Sequence, residues 1–237
     1  MVQAQATTWE RFLKGRHELY KYRYSASVWE KIVFALAMAT LVGLLAQIRI
    51  HLPWTPVPIT GQTFGVLLAG VMLGKWWGGI SMAFYGGLGA AGLPWFNGWA
   101  GGWHVISGPT GGYIVGFVLA ALFIGFFTDT FINSRKLFPM LGLMLFANFV
   151  IIYGLGILWL NIHFSYWTWP LTVKEPVWGL GPYTGKGILP LLWVGIIPFI
   201  AGDIIKAVAA AMLTKGVAPK ESYNGELDAG RPWRRIP

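Results

Sequence analysis

The chain has 237 residues, of which 55% are hydrophobic and only 11% are charged, whereas about 25% of the residues in a typical soluble domain are charged. This composition excludes a water-soluble globular protein and is typical of a surface solvated by lipid tails. The net charge of +9 lies in the termini and short loops, a pattern of membrane orientation and not of nucleic-acid binding. The absence of cysteine excludes disulfide frameworks, thiol nucleophiles and Cys-based metal sites.

Six apolar stretches have the length needed to cross a bilayer, which is about 20 residues for a helix. In chain order they are predicted at 32–48, 58–75, 76–93, 109–127, 137–160 and 187–213. The predicted fold is therefore an all-α membrane protein with a six-transmembrane-helix bundle at 31–213. A charged N-terminal segment at 1–30 and a charged tail at 214–237 flank it. Only a few residues around Gly74 and Lys75 separate the second and third stretches.

The positions of the basic residues predict the orientation of the bundle. With six passes, both termini share one side with the basic loops at Lys75 and 135–136, whereas the other side has only Arg49, Lys174 and Lys186. The positive-inside rule then predicts that both termini are cytoplasmic. The predicted outer loops are all rich in Trp, Gly and Pro: 51–60, 94–108 and 163–186.

Asp203 and Lys206 are a pair of charged residues inside a predicted transmembrane stretch. Three residues apart, they share one face of a helix. Each charge at membrane depth costs about 2.5–3.5 kcal/mol on insertion scales, so this face is expected to point into the bundle or a wet cavity. Lys206 can bind a carboxylate or phosphate, and Asp203 can accept N–H or O–H donors. The alternatives are a self-neutralising pair that only fixes helix packing, and a Lys206 that extends to the interface.

Asn97 is a second polar candidate, at the junction of the third stretch and its outer loop. Trp95 and Phe96 precede it directly. An amide beside two aromatic rings can recognise a ureido or amide group while the rings cover an apolar body. An interfacial loop residue solvated by water has the same pattern, and the residues alone do not separate these alternatives.

Ala35 and Ala39 lie four residues apart in the first stretch, and Gly43 continues their stripe. Small residues at this spacing allow two helices to approach closely. The stripe is therefore predicted to contact another helix, either a neighbour in the same bundle or a helix of a separate protein.

The sequence contains no arrangement of residues that predicts catalysis, a cofactor or a metal site. The segment 87–92 matches a dinucleotide-binding fingerprint, but it lies inside a predicted span with no preceding strand. The four histidines are scattered without ligand spacing, and a Walker ATPase motif is absent. A polytopic membrane enzyme with Asp203 as base, or a scaffold that only holds partners, remains an alternative function.

Four segments occur in an order that is typical of one family. They are Pro-Trp-Thr-Pro-Val-Pro-Ile-Thr-Gly-Gln-Thr at 53–63, Gly-Leu-Pro-Trp-Phe at 92–96, Gly-Pro-Thr-Gly-Gly-Tyr at 108–113 and Gly-Asp-Ile-Ile-Lys at 202–206. Together they resemble the BioY family, the biotin-binding S components of energy-coupling factor (ECF) transporters. The resemblance covers about 31–213 and implies a six-helix bundle in the cell membrane with a vitamin pocket on its outer side.

The resemblance also implies roles for individual residues and partners. Biotin has a ureido group and a carboxylate, and the predicted substrate-binding residues are Asp203, Lys206, Asn97, Gln62, Trp95 and Tyr113. It implies that the stripe of Ala35 and Ala39 contacts a transmembrane T component, and that two ATPases complete the transporter. No cofactor is expected. The predicted function is biotin uptake, and an S component for another carboxylated vitamin is the nearest alternative.

Overall fold

The computed structural model describes residues 8–53, 55–166 and 188–219. Most of these residues are helical, in nine α-helices joined by short connections. The helices are α1 (Thr8–Ser25), α2 (Val28–Leu45), α3 (Gln62–Ala90), α4 (Trp103–Ser107), α5 (Gly111–Thr130), α6 (Leu137–Phe146), α7 (Tyr153–Tyr166), α8 (Ile188–Gly195) and α9 (Ile200–Val217). A π-helical segment, Ala147–Ile152, joins α6 to α7.

Five helical stretches of the described residues are long and apolar enough to cross a bilayer. They are α2, α3, α5, the continuous helix from α6 to α7, and the stretch from α8 to α9. The protein is therefore a multi-pass membrane protein, as the composition predicts. The predicted spans at 32–48, 109–127, 137–160 and 187–213 each coincide with one of these stretches.

The remaining two predicted spans, 58–75 and 76–93, correspond to the two arms of α3, which reverses direction at Gly74. This residue has φ +78° and ψ −173°, a conformation that glycine adopts without steric cost. The two arms pack antiparallel. The contact that shows this is a hydrogen bond of 2.6 Å from the side-chain amide of Gln62, in the first arm, to the hydroxyl of Tyr85, in the second. In one straight helix these residues would lie about 35 Å apart. The short connection in the sequence is thus a hairpin turn.

A two-stranded hairpin connects α2 to α3 and lies over the bundle end that contains Gln62. Strands β1 (Arg49–Ile50) and β2 (Ile59–Thr60) are antiparallel, and they pair Arg49 with Thr60. The loop between them includes Thr55, whose hydroxyl donates to the carbonyl of Val194 in α8. This contact joins the hairpin to the helices that precede Asp203.

At the opposite end of the bundle, Arg23 of α1 joins three elements. Its guanidinium donates to the carbonyl of Val71 at 2.9 Å and forms an ion pair with Asp129 at the end of α5. Asp129 also accepts the backbone N–H of Lys75, directly after the α3 reversal, at 2.8 Å. The charged N-terminal segment therefore contributes a helix that is bonded to the bundle.

Several predictions fall outside the described residues. Of the longest predicted outer loop, 163–186, the structure describes only residues 163–166. Of the charged tail, 214–237, it describes only residues 214–219.

Candidate functional site

A cavity lies inside the bundle at the end that the β-hairpin covers. Its volume is about 710 Å³, counting the space at its mouth. The hairpin, both arms of α3, the loop after α3, α5, the π-helical segment and α9 all contribute to its wall. The lining residues with polar side chains are Thr60, Gln62, Thr63, Tyr85, Asn97, Thr110, Tyr113, Tyr153, Asp203 and Lys206.

Asp203 lies in the first turn of α9 with only 2% of its surface exposed. Its Oδ1 accepts a hydrogen bond from the hydroxyl of Thr63 at 3.2 Å and forms an ion pair with Lys206. Its Oδ2 accepts from the side-chain amide of Asn148 at 2.8 Å and from the hydroxyl of Tyr153. Because an ionised carboxylate has about four lone-pair sites, these four donors satisfy it without a ligand.

Lys206 places a cation at the cavity wall. Its ammonium group donates to the backbone carbonyl of Thr60 at 2.8 Å and to Asp203. An ammonium group has three N–H donors, so these two acceptors, the partners of Lys206 among the described residues, leave one donor for a ligand. Since the side chain is 19% exposed, this donor is accessible from the cavity. The pair thus keeps a partly buried cation in place beside a carboxylate that is already satisfied.

Gln62 and Tyr113 also line the cavity. The Gln62 side chain accepts from the hydroxyl of Thr60 at 2.8 Å and donates to Tyr85, so both of its ends are held. The hydroxyl of Tyr113 donates to the carbonyl of Gly195 at 2.9 Å, which turns the ring of Tyr113 into the cavity wall. Both residues belong to the lining.

The structure separates Asn97 from Trp95. Asn97 lies in the cavity lining, and Arg49 of β1 approaches its side-chain oxygen at 3.5 Å. Trp95 is not among the lining residues; it is buried behind them, and its indole N–H donates to the carbonyl of Tyr85 at 2.9 Å. Phe96 contributes the aromatic ring to the cavity instead. The path of the loop therefore decides that Phe96, and not its neighbour Trp95, lines the cavity.

Asn148, Tyr153 and Thr63 are site residues that the sequence analysis missed. Asn148 is an amide in an otherwise apolar stretch and is only 1% exposed. A polar residue at membrane depth is a signal that could have identified it. Thr63 follows Gln62 directly, and nothing in the local sequence distinguishes it. Tyr153 is one of nine tyrosines in the chain, and nothing in its local sequence distinguishes it.

The small-residue stripe of α2 lies inside the bundle. Ala35 and Ala39 are both 0% exposed. The hydroxyl of Ser81 in α3 donates to the carbonyl of Ala35 at 2.8 Å, and Gly43 lies against Trp95. The stripe thus contacts a neighbouring helix of the same chain. This agrees with the within-bundle alternative, and it leaves the two alanine side chains inaccessible to a separate protein in this conformation.

The fold and the site together define a class: a polytopic membrane protein whose helices enclose a cavity for a small solute with polar groups. Comparisons with known proteins specify the family. The BioY family model matches residues 17–222, most of the chain. This chain belongs to the BioY family, as the four sequence segments predicted.

The matches to individual relatives extend over nearly the full length of each relative. A probable biotin transporter BioY of Methanothermobacter thermautotrophicus is 44% identical over 169 residues, which is 70% of this chain and 99% of the relative. The biotin transporter BioY of Rhizobium etli is 33% identical over 196 residues, covering 81% of this chain and 94% of the relative. Both are transporters rather than enzymes, in agreement with the prediction that the chain is not an enzyme.

A solved structure has the same fold. The crystal structure of the S component for biotin from an ECF-type ABC transporter superposes with a TM-score of 0.64 at 25% identity. The match covers 78% of this chain and 89% of the other. The fold is therefore that of an ECF S component.

Proposed function

We propose that this chain is the biotin-binding S component of an ECF-type transporter and captures biotin in the cavity beside Lys206. The observation that carries the proposal is the partly buried ammonium of Lys206, which the described residues leave with one donor for an anionic group. A charge-assisted hydrogen bond to the biotin carboxylate is the interaction it would make. The family and the named functions of its relatives support this choice of ligand.

The other predicted binding residues have distinct parts in this proposal. Asn97 offers both a donor and an acceptor to the ureido group of biotin, and Phe96 covers the apolar rings beside it. Gln62 and Tyr113 form the wall between the two ends. Trp95 acts from behind the wall by supporting Tyr85. Asp203 holds Lys206 in place instead of accepting from the ligand, because four protein donors already occupy its oxygens.

Titration calorimetry on the purified full chain tests the binding proposal. Biotin is expected to bind with a one-to-one stoichiometry. Lys206→Met should weaken binding by at least about tenfold, which corresponds to the loss of about 1.5 kcal/mol expected for a hydrogen bond between charged groups. Lys215→Met is the matched control, because this exposed lysine lies in the same helix far from the cavity.

The outcomes of the titration are distinct. Binding that is equal in Lys206→Met and in the unchanged chain would refute the role of Lys206. The absence of any heat with biotin, in protein with normal helical content, would refute biotin as the ligand. Other carboxylated vitamins, the nearest alternative, would then be titrated against the same variants.

We also propose six membrane passes with both termini in the cytoplasm. The arms of α3 then count as two passes, although the first arm, 62–73, is only about 18 Å long. The chain has no native cysteine, so single cysteines can report the sidedness. An impermeant thiol reagent is expected to label His51→Cys from outside intact cells and Lys215→Cys only after the membrane is opened. Labelling of both from outside would refute this topology.

The proposed partners are a transmembrane T component and two ATPase subunits, which would supply the energy for release of biotin inside. The sequence has no Walker ATPase motif, and the S-component fold supports this division of labour. Uptake of labelled biotin into proteoliposomes is expected to require these subunits and ATP. Equal uptake by this chain alone would refute the need for partners. The contact surface for the T component is not assigned to the Ala35 and Ala39 side chains, which are buried.

A further inference from the structure

The helix that spans 137–166 changes its hydrogen-bond pattern beside Asp203. From Ala147 to Ile152 the backbone is π-helical, and the N–H of Tyr153 donates to the carbonyl of Asn148 five residues earlier. Ordinary α-helices bond four residues back, and single π-helical turns of this kind are rare and occur frequently at functional sites. The position of this turn, at the wall of the cavity, therefore requires an explanation.

The π-helical turn decides which side chains share a face. In a regular α-helix, residues five apart point about 140° away from each other, because each residue advances about 100°. In a π-helical turn, where each bond reaches five residues back, residues five apart lie much closer to a common face than they do in an α-helix. Asn148 and Tyr153 are five apart, and both donate to the same oxygen, Oδ2 of Asp203. A regular α-helix would turn one of these two donors away.

The two donors from this turn have a consequence for the other oxygen of the carboxylate. With Oδ2 occupied by Asn148 and Tyr153, Oδ1 is turned to Thr63 and Lys206. Asn148 is 1% exposed, and its own side-chain oxygen has no hydrogen-bond partner among the described residues. Burial of a half-satisfied amide is unfavourable. Its bond to Asp203 is the interaction that compensates for this cost.

We infer that the π-helical turn at 147–152 is a positioning device for the binding site, in which Asn148 and Tyr153 orient the Asp203 carboxylate so that it holds the Lys206 ammonium towards the ligand. Asn148 and Tyr153 are positioning residues, since they act on the ligand's anionic group through Asp203 and Lys206. The inference rests on the proposed binding of a carboxylated ligand by Lys206. It adds two residues and a backbone feature that determine the strength of that contact.

A double-mutant cycle tests the inference in the full chain. Tyr153→Phe and Asn148→Leu are each made alone and together with Lys206→Met, and biotin affinity is measured by calorimetry. Each single variant is expected to weaken biotin binding about tenfold. In the Lys206→Met background the same substitutions are expected to change affinity less than twofold, because the group they position is gone. Equal losses in both backgrounds would overturn the inference.

A comparison substitution separates this role from simple packing. Tyr113→Phe removes a hydroxyl from the same cavity, but this hydroxyl bonds to the carbonyl of Gly195 and not to Asp203. Its effect on biotin affinity is expected to be the same with and without Lys206. If the effect of Tyr113→Phe on biotin affinity depends on Lys206 as strongly as the effect of Tyr153→Phe does, the dependence is not specific to the Asp203 cluster and the inference fails.

A ligand analogue keeps the test decisive if a double variant does not fold. Biotin amide lacks the carboxylate, so its binding cannot use the charge of Lys206 fully. Tyr153→Phe is expected to weaken the binding of biotin about tenfold and the binding of biotin amide less than twofold. Equal weakening of both ligands would overturn the positioning role. If Lys206→Met alone leaves biotin affinity unchanged, the proposed binding mode fails first, which distinguishes the two failures.

Discussion

Replacement of Asp203 by asparagine tests how much the buried cluster contributes to stability. The substitution keeps the size of the side chain and removes its charge. Four donors lose an anionic acceptor: Thr63, Asn148, Tyr153 and Lys206. A hydrogen bond to a charged group contributes about 1.5–3 kcal/mol, and a neutral one about 0.5–1.5 kcal/mol. Each of the four bonds is therefore expected to weaken by about 1 kcal/mol.

Solvation reduces the sum of these four losses. Asp203 is 2% exposed and receives little compensation from water, but the Lys206 side chain is 19% exposed and regains some hydration. A loss of about 3 kcal/mol in the free energy of unfolding is expected, the lower end of the range for a buried ion pair broken on one side. This corresponds to a change of roughly 100-fold in the unfolding equilibrium.

The assay is equilibrium unfolding in mixed micelles, followed by the intrinsic fluorescence of the 14 tryptophans. The double variant Asp203→Asn/Lys206→Met is expected to recover at least about 1 kcal/mol, because it removes the cation that the single variant leaves without a counter-charge. Lys215→Met is the control and should change stability by less than about 0.5 kcal/mol. An Asp203→Asn variant as stable as the unchanged chain, or a double variant less stable than the single one, would refute the reasoning.

Two further predictions concern the other end of the bundle. Gly74→Ala is expected to lower the free energy of unfolding by about 3 kcal/mol, since φ is +78° and a Cβ would lie 2.5 Å from Asp129 Oδ2. Gly87→Ala, in the same helix with open space around it, is the control; equal effects of both would contradict the proposed turn. Burial raises the pKa of Tyr20 above its ordinary value of 10. Above about pH 10 the unfolded chain loses this proton and the folded chain keeps it, so stability should fall as the pH rises. Unfolding measured at about pH 8 and about pH 11 should show a smaller fall in Tyr20→Phe, and an equal fall would refute this origin.

The predicted binding residues that line the cavity have signals in the sequence that do not depend on tertiary contacts. Asp203 and Lys206 stand out because charge at membrane depth is costly, and Asn97 because it follows two aromatic residues at a loop. Gln62 and Tyr113 came from the family resemblance alone. All five lie in the lining of one cavity.

The sequence is a weaker guide to which of two neighbouring residues lines the cavity. Trp95 and Phe96 are equally apolar, and only the path of the loop decides that Phe96 faces the cavity. The protein partners of Asp203 could not be predicted from the sequence either. Its charge indicated an acceptor for the ligand, but Asn148 and Tyr153, from a distant part of the chain, satisfy one of its oxygens.

By itself the sequence determined the membrane class, the positions of the apolar stretches and the family, because these depend on composition, length and local motifs. The tertiary structure alone decided that the Ala35 stripe is internal, that α3 folds back at Gly74, and that Asn148 and Tyr153 meet at Asp203. The last of these requires a π-helical turn, which brings the side chains of Asn148 and Tyr153 towards a common face that a regular α-helix would not give them. Such a turn is stabilised by contacts between elements far apart in the chain, and no local pattern of residues encodes it.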